Sequence, residues 1–308
     1  MTMRKKVYIV ILVALALQTP AIAQQVPITS QYLTNGLVIN PAYAGTREAL
    51  SINLSYRKQW ANITGAPQFQ TLSLHTPINE KEKVSLGLMA DYLTYGVTKD
   101  VGIYAYYAYS VRLGRGKLSM GLKGGLDLSN TNYNRLQFPD GNPADPLLTG
   151  DMKYTLPNMG VGFYYYTDRY FAGLSVPSLL TYKRDATDEF SVTPDYKLFM
   201  TCLTAGTLLQ FADVFKVKPS VLVRYAIHKP IEVDLNANLI FADLLWVGGS
   251  YRMAEKAVVA LVDLQITPQL KLGYSYDYQL GHLNNYTSGT HDVSLRYEFQ
   301  YEVTATSP

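Results

Sequence analysis

The feature that most constrains this chain is a two-residue alternation of apolar and polar side chains, carried through segments of about ten to fourteen residues. Leu118, Met120, Leu122, Gly124 and Leu126 alternate with Ser119, Gly121, Lys123, Gly125 and Asp127. Val84, Leu86, Leu88, Ala90 and Tyr92 alternate with Ser85, Gly87, Met89 and Asp91. Ile231 to Phe241 sets Val233, Leu235, Ala237 and Leu239 against Glu232, Asp234, Asn236 and Asn238. Leu270 to Leu280 sets Leu272, Tyr274, Tyr276 and Tyr278 against Lys271, Gly273, Ser275 and Asp277. Val293, Leu295, Tyr297, Phe299 and Tyr301 close the series. A strand of this length crosses a bilayer when tilted, whereas strands of soluble sandwiches are shorter. After the first apolar run no stretch of about eighteen apolar residues remains, so no membrane-spanning helix is expected.

About fourteen such segments can be counted, at 47–60, 67–78, 83–93, 100–113, 116–129, 157–167, 169–176, 195–211, 215–227, 230–241, 243–252, 256–266, 269–280 and 290–303. Alternate joins are tight, at 79–82, 114–115, 168, 212–214, 242 and 267–268, and the others include the long stretches 130–156, 177–194 and 281–289. Short turns at one rim and longer loops at the other are the outer-membrane arrangement. An unpaired backbone group costs several kcal/mol in hydrocarbon, so the sheet must close on itself. The predicted fold is all-β: a closed antiparallel transmembrane β-barrel over 47–308, with an irregular segment at 24–46 that is periplasmic or a plug. Its outward face meets outer-membrane lipid, with Leu272 outward and Lys271 inward, and both termini lie in the periplasm. A barrel of this size has more interior than its own side chains fill, so 24–46 is a candidate occupant.

Residues 1–23 read as a signal peptide: Arg4, Lys5 and Lys6 precede the apolar run Val7–Leu17, and Ala21-Ile22-Ala23 fits a cleavage site. The single cysteine, Cys202, permits no intramolecular disulfide. With 26 Tyr against 10 Phe and 2 Trp, the aromatic content favours rings with a polar tip, which suit a headgroup boundary. The net charge of +3 comes with no basic tract, so no nucleic-acid partner is expected.

The entry into the first strand is irregular. Asn40 before Pro41 is pushed out of the helical region, and Gly45 interrupts any regular element after it. Then Leu50, Ile52, Leu54 and Tyr56 alternate with Ser51, Asn53, Ser55 and Arg57. Asn40 to Gly45 is expected to form a fixed turn that places 24–39 within or just beneath the periplasmic mouth. Its apolar residues, among them Tyr32, Leu37 and Ile39, should be buried by the rim or by a partner.

Gln31-Tyr32, Asn40-Pro41-Ala42-Tyr43-Ala44-Gly45, Tyr56-Arg57-x-Gln59-Trp60 and Gly65-Ala66-Pro67, in this order and spacing, resemble the signature of the PorP/SprF family. These are outer-membrane proteins associated with the type IX secretion system and gliding motility of Bacteroidetes-type bacteria. The resemblance implies protein partners: secretion-system components, and cargo adhesins recognised through their C-terminal sorting domains. It makes the fifteen signature residues candidates for partner binding or for a structural role.

Local sequence points to no catalytic chemistry. Glu232, Asp234 and Asp277 share the inward face, where a polar lumen wall accounts for them. His75, His228, His282 and His291 lack metal-ligand spacing. Asp140-Gly141-Asn142 with Asp145 and Asp151 is read as a turn cluster rather than a Ca²⁺ loop. Gly121-x-x-Gly124-Gly125 lies within a strand and is no phosphate loop. No Gly-x-Ser-x-Gly is present. The chain is therefore expected to be no enzyme and to hold no cofactor or metal. The alternative to secretion is a passive channel or transporter for small or hydrophobic solutes.

Overall fold

A computed structural model describes residues 30–78, 83–135, 151–184, 190–193, 199–227 and 229–299. The signal peptide, the start of the 24–46 segment, the 140–145 turn, His228 and Tyr301 lie outside the described residues. The alternating segments are strands, each antiparallel to the next, and the last returns to the first. The strands are β1 Leu50–Lys58, β2 Gln68–Pro77, β3 Val84–Tyr95, β4 Thr98–Leu113, β5 Gly116–Asn132, β6 Asp151–Tyr166 and β7 Tyr170–Val176. They continue with β8 Thr201–Ala212, β9 Phe215–Tyr225, β10 Glu232–Phe241, β11 Leu245–Arg252, β12 Ala257–Gln265, β13 Leu270–Gln279 and β14 Thr290–Phe299. β8 is interrupted at Leu208, whose N–H bonds to the Arg169 carbonyl at 2.6 Å. Both its parts pair with β9 and its first part also pairs with β7, so the ring closes as a fourteen-strand barrel. Leu54 of β1 stands opposite Leu295 of β14. Among the described residues no helix is long and apolar enough to cross a membrane.

The two faces divide as the period-two pattern requires. Leu122 is 57% exposed and Leu272 41%, the dry faces that lipid covers, while Lys271 is 4% exposed and Asp277 fully buried. One rim carries the joins 78–83, 114–115, 167–169, 213–214, 242–244 and 266–269. The chain enters β1 and leaves β14 at that rim. The other rim carries the longer joins, including 133–150 and 177–200, with a small hairpin of Thr181–Arg184 on Phe190–Thr193.

Among the described residues, most boundaries differ from the sequence reading by no more than about three residues, and two differ by more. β6 begins at Asp151 rather than 157, pairing Asp151 with Asn132. Over 151–156 the polarity is inverted: Leu156 is buried inward while Lys153 and Thr155 are exposed outward. This stretch lies at the long-loop end, where the outer face meets water, and an apolar-out pattern has no reason to persist there. β8 begins at Thr201 rather than 195.

The apolar core lies inside the barrel. Leu37, Ala42, Tyr43 and Ala44 pack with Met89, Tyr104, Tyr106, Ala108 and Tyr164 of the wall. A second cluster joins Tyr32 and Ile39 to Cys202 and Leu222. A barrel lined by polar side chains thus gains its core from the segment that precedes its first strand.

Candidate functional site

Residues 30–49 cross the lumen in three short 3₁₀ turns, Ser30–Leu33, Gly36–Val38 and Pro41–Tyr43. Local chemistry sets each turn. The Asn35 side chain accepts from Leu37 N at 3.3 Å, and the Asn40 side chain accepts from Ala42 N at 2.9 Å, so both asparagines act as N-caps. Pro41 follows its cap at the first helical position, where its missing N–H costs nothing. Gly45 has φ +77°, and an added Cβ there would also overlap the Ser85 side chain.

The wall meets this segment in two different ways. Against β5–β7 the contact is one of shape. A Cβ at Gly121 would overlap the Pro41–Ala42 peptide, and one at Gly162 would overlap the Asn40 side chain. Asn40 Nδ2 donates to the Phe163 carbonyl at 3.0 Å, and Ser175 Oγ donates to the Ile39 carbonyl at 2.7 Å. The Tyr43 ring stands edge-on to Tyr164 and to His75, at 5.9 and 5.6 Å. Gly45 N donates to His75 Nδ1 at 3.1 Å.

Against β10, β11, β13 and β14 the contact is ionic and polar. Asp277 Oδ2 accepts from Arg57 at 2.7 Å and from Arg252 at 2.9 Å, and a second Arg252 nitrogen donates to Ser30 Oγ at 2.7 Å. Tyr32 donates to Asn236 Oδ1 at 3.1 Å, and burial pushes its phenol pKa up. Asn35 Nδ2 donates to Ser73 Oγ at 2.7 Å, extending the polar contacts to β2. Arg47 grips Glu298 with Nε and Nη2 at 2.7 and 3.1 Å. Arg296 binds the same carboxylate at 3.2 Å and donates to the Thr34 carbonyl at 3.0 Å. These charges are buried, so each depends on its partner.

The signature residues divide between two ends of the barrel. Tyr32 and Asn40 to Gly45 are buried in the lumen, and Gln31 belongs to the first turn. Arg57 joins them from the long-loop half of β1. Tyr56 points outward, 39% exposed, and takes no part. Gln59, Trp60, Gly65, Ala66 and Pro67 build the first long-rim loop: Gln59 N donates to Pro67 O at 2.9 Å, and Ala66 N to Ile63 O at 3.2 Å. Gly96 N donates to Gly65 O at 2.8 Å. Trp60 has φ +48°, and its N–H bonds Thr290 Oγ1 at 3.1 Å. Ala61 then pairs with the last loop through Gly289 O at 2.8 Å and Ser288 N at 3.0 Å. The signature thus fixes the lumen segment at one level and ties the first loop to the last at the other.

The inward carboxylates are ion-paired rather than free: Glu232 and Asp234 lie 3.1 and 3.6 Å from Arg224. Among the described residues no group of three or more His, Cys, Asp and Glu could hold a metal. Sequence reasoning missed Ser30, Asn35, Arg47, Gly121 and Gly162. Glycines on the inward face of otherwise regular strands were the available signal, since a strand gives up a side chain where another backbone approaches.

The sequence matches, over residues 21–297, the family described as the type IX secretion system membrane protein PorP/SprF. The chain belongs to the PorP/SprF family. No curated protein matches it. Among solved structures it is similar to the CymD monoaromatic hydrocarbon channel, at 12% identity and a TM-score of 0.50, over 91% of this chain and 95% of that one. It is also similar to the Acinetobacter baumannii outer membrane protein Omp33, at 8% identity and a TM-score of 0.49, over 83% of this chain and all of the other. The CymD likeness concerns the barrel fold alone. This PorP/SprF chain is a membrane protein of the type IX secretion family built as an outer-membrane β-barrel.

Proposed function

We propose that this barrel works without catalysis, as a component of type IX secretion and gliding that helps secrete or retain cargo adhesins by protein–protein recognition. Family membership supports the secretion role. The observation that carries the reading is the lumen itself: residues 30–49 span it and are tied to β2, β6, β7, β10, β11, β13 and β14 by side-chain contacts. A diffusion channel keeps its lumen open to solutes, and this one carries a folded segment and a packed apolar core. In the proposed orientation the short-turn rim and both termini face the periplasm and the secretion machinery. The long-loop rim, with the 59–67 loop bound to 287–289, faces the cell surface, where cargo is retained. The test is affinity purification of the tagged chain from its native host, paired with liposome swelling by the purified barrel. The proposal predicts secretion subunits and adhesins bearing C-terminal sorting domains in the eluate, with no swelling response to small sugars. A bare barrel that admits those sugars freely would instead establish the channel.

A further inference from the structure

Charge inside the lumen is unevenly placed. Near the short-turn rim four buried cations, Arg47, Lys218, Lys271 and Arg296, face two buried carboxylates, Asp263 and Glu298. Arg47 and Arg296 share Glu298, and Lys271 binds Asp263 at 3.0 Å. Lys218 has neither carboxylate. At 7% exposure it makes no hydrogen bond or ion pair among the described residues. Its contacts are two ring faces, Phe171 at 5.2 Å and Trp246 at 5.8 Å from the ammonium, and Lys271 already covers Trp246 at 3.4 Å. The charges acting on Lys218 are Arg47, Arg296 and Asp263, two cations and one anion. A buried ammonium in that company is expensive unless a negative group joins it.

The space for one is present. Lys218 lines a cavity of about 40 Å³ between the lumen segment and β7–β10. Thr204, Ser220 and Asn238 line it as well, and among the described residues none of their side chains makes a hydrogen bond. Thr204 is 8% exposed and Asn238 4%, so little of either is open to bulk water, while Ser220 is half-buried. Four polar side chains of one small cavity thus lack partners, and together they offer an ammonium, two hydroxyls and an amide NH₂ as donors. The volume is roughly three times what one water needs, enough for a halide or a formate-sized carboxylate and too small for a peptide. Water alone would satisfy the hydroxyls but would not offset the charge of a protonated Lys218.

We propose that Lys218, with Thr204, Ser220 and Asn238, binds a compact monovalent anion between the lumen segment and the barrel wall. The anion completes the charge balance of the short-turn half and bridges β8, β9 and β10. This inference stands apart from the secretion reading, since it concerns any state in which the lumen segment is docked.

Bromide tests it, because it scatters anomalously and quenches indole emission. Crystals of the full chain grown with bromide in place of chloride should show an anomalous peak within hydrogen-bond reach of Lys218 Nζ. In solution a Trp60→Phe background leaves Trp246 as the sole indole, and bromide should quench it saturably. Lys218→Met should raise half-saturation at least about tenfold, as expected for losing a charged hydrogen bond, while Lys218→Arg should retain binding. Ser220→Ala keeps the charge and should weaken binding about threefold; it decides the matter if Lys218→Met fails to reach the heat-modifiable folded form. Only waters at the site in the bromide crystals would overturn the proposal. So would quenching that stays linear, or half-saturation unmoved by Lys218→Met or, where that variant does not fold, by Ser220→Ala.

Discussion

The two walls of the lumen hold the same segment by opposite means. On the β5–β7 side, backbone approaches backbone: Gly121 and Gly162 have no side chain because Asn40 to Ala42 occupy that space. On the β10–β14 side, the wall keeps its long side chains: Arg252 and Asp277 reach in to Ser30, and Arg57 of β1 pairs with the same Asp277. The first contact is short-range and sensitive to a single methyl group. The second tolerates small shifts but leaves a buried charge when one partner is lost. A segment held in both ways has its position fixed by shape and its register fixed by charge.

The largest effect is expected on the ionic wall. Asp277→Asn leaves Arg57 and Arg252 facing each other without their shared carboxylate, at a cost of about 3–5 kcal/mol. Urea unfolding in lipid vesicles, followed by the heat-modifiable gel shift, should show a clearly lowered midpoint; an unchanged one would break the contrast between the walls. On the shape wall, Gly121→Val should cost about 1–3 kcal/mol by forcing the Pro41–Ala42 peptide away. Gly124→Val on the same strand points outward into open space and should be near neutral. Equal losses for the two glycines would mean that strand propensity, and not the lumen segment, sets the cost. The smallest effect is Tyr32→Phe, which removes one hydrogen bond to Asn236 and should cost about 0.5–1.5 kcal/mol by the same assay.

Most of the barrel was legible because lipid enforces a strict rule. Outward residues such as Leu122 and Leu272 must be apolar, so the period-two pattern marks strand and face together. Legibility ended where lipid ends, at 151–156, where Leu156 turns inward. Inside the lumen no comparable rule applies. The sequence marks 30–46 as non-strand, through Asn40-Pro41 and Gly45, but pairings such as Arg47 with Glu298 span nearly the whole chain. No local pattern reports them. The role of the signature was also hidden by its contiguity: Tyr56 and Arg57 are neighbours in sequence yet point to lipid and lumen respectively. With Tyr43 only 3% exposed, the inner half of the signature packs on the barrel's own wall.

Residues 30–49 are folded into the lumen, and protection of a buried thiol tests that placement most directly. Leu37 is 1% exposed in the middle of the segment, and a cysteine there fits within the leucine's volume. In a Cys202→Ser background, which removes the one native thiol, Leu37→Cys is the sole target for a water-soluble maleimide. A segment seated in the lumen gives almost no labelling of the folded, heat-modifiable form and complete labelling after heating in detergent. Labelling of the folded barrel as fast as of the unfolded chain would place the segment outside the lumen.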